Sequence, residues 1–177
     1  MDMNRVVNVV IASPGDVVIE RKIVHEACLG LNESELLHHL GVSLHTGMWE
    51  DVFPSAEPPQ VIINRLIDEC DILVCIFYKR FYTQSGRTES ENLNNFLLAY
   101  DVWKSLKKPH VMLFFREAQT SSTEDTPAPV LREMCELKEM MEKEKLLYTD
   151  VFSAPHEFCE KIYDQIEKWV RDNTTRQ

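Results

Sequence analysis

No apolar run in this sequence approaches the roughly 20 residues that a membrane-spanning helix requires. The short apolar stretch of the N-terminal MDMNRVVNVV contains Asn8, so it lacks the layout of a secretory signal as well. Positive charge is scarce. Nineteen Lys and Arg stand against 29 Asp and Glu, a net charge of −10. Nucleic acid is excluded as an expected partner, because neutralising phosphates takes clustered cations. C-x-x-C spacing is missing, and the Cys count is odd: Cys28, Cys70, Cys75, Cys135 and Cys159. They fall inside or directly between expected strands and helices, which reads as buried free thiols in a reducing compartment and a cytoplasmic protein. His38, His39 and His45 have no convincing third ligand, so no metal site is expected. G-x-G-x-x-G, the Walker loop and the G-x-S-x-G elbow are absent too, which removes the commonest signatures of phosphate cradles and serine hydrolases.

What is present is a chain of 177 residues, 44% hydrophobic and 27% charged, the balance of one ordinary globular domain. We expect it to span residues 1–172, with 173–177 as a frayed tail. Val6–Ala12 is a short β-branched run stopped by Ser13-Pro14-Gly15-Asp16 and reads as a buried strand. Helical spacing follows to about Leu40, through Val17, Ile23, Val24, Ala27 and Leu31. Val42–Trp49 alternates as a less buried strand, and Gln60–Glu69 is helical. Asp71–Tyr78 (DILVCIFY) is apolar at nearly every position, as a central parallel strand covered on both faces should be. Ser90–Leu106 is helical, His110–Phe115 a fourth strand, Val130–Lys145 a charged helix and Leu147–Val151 a fifth strand. Ala154–Arg171 is a closing helix with Phe158, Ile162, Ile166, Trp169 and Val170 as its stripe. Five strands alternating with five helices predict an α/β protein of three-layer, flavodoxin-like form, its five-stranded parallel sheet in the order 2-1-3-4-5.

In such a sheet, ligands sit beyond the carboxyl ends of the strands where the winding reverses, here between strands one and three. The flanking segments are Ser13–Asp16, Trp49–Asp51 and Phe77–Ser90, with Arg116 after strand four. Ser13, Pro14, Gly15 and Asp16 either offer backbone N–H groups to an anion or simply cap the helix that follows. Trp49, Phe77, Tyr78, Phe81 and Tyr82 either stack on a base or belong to the rim of the core. Glu20 and Arg21 form either a buried ion pair or a substrate clamp. Arg80, with Lys79, and Arg87 either contact phosphate or are solvated loop charges.

The segments IASPGDVVIERKIV, GMWEDVFPSAEPPQVIINRLIDECDILVCIFYKRF and SGRTES, with KKPHVMLFF and LREMCELKEMMEKEKLLYTDVFSAPHEFCEKI later on, resemble a bacterial TIR-like family. Its pattern is a strand, S-P-G-D-V-x-x-E-R, a W-E-D segment, Q-x-x-I-N-x-x-I-x-x-C-D-I-L and a T-G-R-x-E-S-G-T loop. The resemblance covers nearly the whole chain. It implies a TIR-like domain of the kind found at the N-terminus of defence and signalling proteins, related in fold to TIR domains and nucleoside deoxyribosyltransferases. It also implies chemistry at an N-glycosidic bond, with NAD as substrate or ligand and no permanently bound cofactor. The oxocarbenium-like transition state of that reaction calls for a carboxylate near the ribose.

In the family the acid falls in a pattern like S-G-T-x-x-E-[FI]-x-x-A. This chain reads Ser90-Glu91-Asn92-Leu93-Asn94-Asn95-Phe96-Leu97-Leu98-Ala99, which puts Asn95 at the acid position. An amide keeps a hydrogen-bonding oxygen without the charge. The resemblance therefore implies a signalling or effector module that recognises NAD or a related nucleotide with weak or absent hydrolysis. Its nucleotide-binding residues would be Ser13, Pro14, Gly15, Asp16, Arg21, Trp49, Asp51, Phe77, Tyr78, Arg80, Arg87 and Ser90. Two alternatives stand beside it: an active NAD glycohydrolase using Glu91 or Glu89, and a pure protein–protein assembly domain. Expected partners are a second copy or other domains of a larger signalling protein, with no nucleic acid and no membrane.

Overall fold

The most apolar segment of the chain becomes the middle of the sheet. In the computed structural model every residue of β3 (Ile72–Phe77, ILVCIF) is buried. The structure describes residues 5–13, 17–48, 68–78, 108–117 and 148–174, together with 61, 65, 101, 104–106 and 139. On either side of β3 lie β1 (Arg5–Ala12) and β4 (His110–Arg116), flanked in turn by β2 (Val42–Met48) and β5 (Tyr148–Phe152). The order is β2-β1-β3-β4-β5, and every neighbouring pair is parallel. This is the flavodoxin-like arrangement expected from the alternation of elements, and the strand bounds match that reading to within one or two residues.

Parallel strands need crossovers, and the described parts of those crossovers are helical. Val61, Arg65, Asp68 and Glu69 lie in helix between β2 and β3; Asp101 and 104–106 lie in helix between β3 and β4. One face of the sheet is covered by α1 (Val18–Asn32) and by the helix at the end of the described chain, α3 (Pro155–Thr174), which pack against each other. Val17, Val24, Ala27, Cys28 and Leu31 form the buried stripe of α1, and Phe158, Ile162, Ile166 and Val170 that of α3. Phe158 is the keystone of this layer. Its ring meets Phe114 edge-on at 5.0 Å and an 87° interplanar angle, and Phe152 at 4.6 Å, tilted by 32°.

The single helix expected to run to about Leu40 is two helices. The chain breaks at Ser34, whose hydroxyl donates to Leu31 O at 2.6 Å and accepts from Leu37 N at 3.3 Å. That capping starts α2 (Glu35–Leu40), which Gly41 ends in the left-handed conformation at φ 62°. The expected start of α1 also shifts. The helix begins at Val18, and Val17 at its cap makes no side-chain capping bond.

At the amino edge of the sheet, Asp71 gathers three strands. Its carboxylate Oδ2 accepts from Asn8 N at 2.9 Å, its backbone N–H donates to Asn8 O at 3.0 Å, and its carbonyl accepts from His110 N at 2.8 Å. No helix among the described residues is long and apolar enough to cross a membrane. Of the five cysteines, Cys28, Cys70 and Cys75 are buried and free as expected, whereas Cys159 is free but exposed, on the outer side of α3. Cys135 lies outside the described residues.

Candidate functional site

Three strand ends and the first turn of α1 converge at the carboxyl edge of the sheet. β1 ends into Ser13, β3 into Tyr78 and β4 in Arg116, and α1 brings Glu20 and Arg21 over them. Glu20 follows Val17 and precedes Val24 on the buried stripe of the helix, so its carboxylate is carried under the helix, fully buried. An isolated acid in such a position demands a cation. Arg116 supplies it, its Nη1 donating to Glu20 Oε1 at 2.8 Å. The Arg116 side chain is 23% exposed, and its guanidinium carbon lies 4.5 Å from the centroid of the Tyr78 ring, a cation–π stack. The second carboxylate oxygen, Glu20 Oε2, is buried and has no hydrogen-bond partner. Native folds leave few such groups unsatisfied.

Arg21 points to the other side of the same turn. Its Nε donates to Ser13 Oγ at 2.8 Å and its Nη2 to the Ser13 carbonyl oxygen. Two expectations are corrected by this geometry. Ser13 does not cap α1, because its hydroxyl is the acceptor for Arg21 and the helix begins further on. Glu20 and Arg21 are not partners of each other; each is held by a group from a strand end. Phe77, expected at the crevice, is 2% exposed and packs at 5.4 Å against Phe115, so its ring belongs to the core. Among the described residues Tyr78, half-buried, is the aromatic residue that reaches the cluster; Lys79, Phe81 and Tyr82 lie outside them. Pro14, Gly15, Asp16, Trp49, Asp51, Arg80, Arg87, Glu89, Ser90, Glu91 and Asn95 lie outside the described residues.

The Glu20–Arg116 pair escaped the reading of the sequence, which noted Arg116 only as the residue following strand four. The signal was there. One acidic residue interrupts an otherwise apolar helical stripe, and one arginine closes an apolar strand two places away in the sheet.

Thiol chemistry is disfavoured among the described buried cysteines. Burial pushes the Cys28 thiol up to about 12, and raises Cys70 and Cys75 still further. No group of three or more His, Cys, Asp or Glu suited to a metal ion occurs among the described residues.

A parallel sheet ordered 2-1-3-4-5, with a polar cluster beside the point where its winding reverses, defines a doubly wound, flavodoxin-like α/β domain. The chain belongs to the family described as Domain of unknown function (DUF4062), which matches residues 9–167. A comparison with curated proteins gave no match.

Proposed function

We propose that the chain is a TIR-like signalling or effector domain that recognises NAD or a related nucleotide at the crevice between β1 and β3, with weak or absent hydrolysis. The observation that supports it best is the cluster of Glu20, Arg116 and Tyr78 at the carboxyl edge: a stacked guanidinium, an aromatic face and a buried carboxylate oxygen without a partner. A packed core gains nothing from an unsatisfied acceptor, whereas a polar ligand can use one. Ser13 and Arg21 flank the cluster on the β1 side. Pro14, Gly15, Asp16, Trp49, Asp51, Arg80, Arg87 and Ser90 complete the proposed binding set from the segments that follow the strands in sequence. Weak turnover follows from Asn95, since a neutral amide cannot stabilise an oxocarbenium-like centre as a carboxylate does.

Calorimetric titration of the protein with NAD and with ADP-ribose tests the reading, alongside an assay of nicotinamide release at high NAD. Saturable binding with little release is the expected result. Rapid release abolished by Glu91→Gln would replace the proposal with an active glycohydrolase. Absence of binding to both ligands would leave an assembly domain.

A further inference from the structure

We infer that Glu20 Oε2 accepts a hydrogen bond from an exocyclic amino group of the bound nucleotide, while Arg116 donates to the acceptor next to that group. This rests on the nucleotide reading above and adds which chemistry of the nucleotide is held, and by which atoms.

Three observations converge on it. Glu20 is fully buried with one oxygen paired and the other unpaired. It stands on an apolar stripe between Val17 and Val24, where a hydrophobic side chain would pack without needing any partner. Its partner Arg116 has five N–H donors by chemistry, and among the described residues only Glu20 Oε1 takes one of them; its π face lies over Tyr78. The pair therefore combines a buried lone-pair acceptor, Glu20 Oε2, with Arg116 N–H donors that no described residue takes. The complement of that combination is a donor adjacent to an acceptor. A carboxamide has this arrangement in its NH2 and C=O, and adenine has it in its amino group and the neighbouring ring nitrogen. A ribose diol fits less well, because each hydroxyl must first choose a role. Arg116, which bonds Glu20 at the carboxyl edge, and Tyr78, stacked on it, are only part-buried, so the ligand edge has to enter on their side by displacing the stacked guanidinium.

The test is titration calorimetry of the whole chain with three ligands: NAD, nicotinic acid adenine dinucleotide and nicotinamide hypoxanthine dinucleotide. The second replaces the carboxamide NH2 by oxygen and the third replaces the adenine amino group by oxygen, so neither can donate at the altered position. The expected result is NAD binding about tenfold or more tighter than one of the two analogues. Weakening with the nicotinic acid analogue identifies the carboxamide as the group on Glu20; weakening with the hypoxanthine analogue identifies the adenine. Glu20→Gln keeps the shape and the link to Arg116 but presents an NH2 to the ligand, so it erases or reverses that selectivity. Equal binding of all three by the native chain overturns the inference, as does selectivity that survives in a folded Glu20→Gln protein. If the variant fails to fold, the three-ligand comparison on the native chain decides alone. Absence of binding to any of the three removes the nucleotide reading itself, and the inference with it.

Discussion

The side chain of Asn32 holds both backbone groups of Leu44, donating from Nδ2 to Leu44 O at 2.9 Å and accepting at Oδ1 from Leu44 N at 2.7 Å. Asn32 is the last residue of α1 and Leu44 lies in β2, the edge strand of the sheet. The amide acts as a one-residue imitation of a neighbouring strand, occupying edge groups that would otherwise invite another chain. Asn32→Ala should lower stability by about 2 kcal/mol in urea or guanidinium titrations. Asn32→Asp should cost about half of that, because a carboxylate accepts from Leu44 N but has nothing to donate to Leu44 O. Equal losses for the two variants would contradict the two-way bridge.

Phe158 joins α3 to β4 and β5 through two ring contacts. Phe158→Ala is expected to cost about 3–5 kcal/mol, and Phe158→Leu substantially less, measured as shifts of the denaturant midpoint at unchanged slope. A small effect for Phe158→Ala would mean that the layer can collapse around the missing ring.

His110, packed at 6.2 Å from Trp169, has its pKa lowered by burial to about 4 from an ordinary 6.5. The unfolded chain therefore binds a proton between those values that the folded chain refuses. Stability from this group is complete above pH 6.5 and is lost as pH falls toward 4. The loss is at most about 3 kcal/mol, less whatever the exposed part of the ring recovers by solvation. Comparing midpoints at pH 7, 5 and 4 for the native chain and His110→Gln should show a flatter profile for the variant. Parallel profiles would refute it.

Glu157 works in a lower window. Its carboxylate accepts from Ser153 N at 2.9 Å, from Lys161 at 3.0 Å and from Ser153 Oγ at 3.0 Å, in that order of importance for holding its pKa near 2 against an ordinary 4.5. The folded state releases this proton more readily than the unfolded one. Its contribution is present above pH 4.5 and disappears as pH falls through 2. Glu157→Gln should remove the part of the acid unfolding limb that lies below pH 4.5 while leaving the His110 window intact. Thermal melts across pH 5 to 2 would reveal an unchanged limb if the idea is wrong.

On the proposed reading, the missing charge at Asn95 limits hydrolysis. Asn95→Glu is then expected to raise nicotinamide release from NAD by about 100-fold over the native chain, the order of effect of one well-placed electrostatic group. A variant that binds NAD as before yet shows no gain would place the limit elsewhere.

The strands were legible because each is a short, β-branched apolar run between polar stops, with ILVCIF the clearest case. Strand order followed from alternation alone, through the handedness of parallel crossovers. The break between α1 and α2 was not, since Leu31, Leu36, Leu37 and Leu40 continue the helical spacing across it; only Ser34 marks the interruption. In the candidate site, Ser13 and Tyr78 were named from their places at strand ends and Arg21 from its place early on the first helix, but the partners they take were not. Ser13 has the residue type of a helix cap, and its role as an acceptor for Arg21 depends on where α1 begins. Glu20 and Arg116 are neighbours only once β3 has brought β1 and β4 to either side of itself.

That last relationship has a kinetic side. Glu20 and Arg116 are 96 residues apart in sequence, and contacts of such separation form only after the loop-closure entropy of the intervening chain has been met. A nascent or stalled chain that ends before β4 holds the Glu20 carboxylate without its cation. On the proposed reading, the capacity to bind emerges only once β4 has joined the sheet, which would make ligand capture a report on folding as much as on ligand concentration.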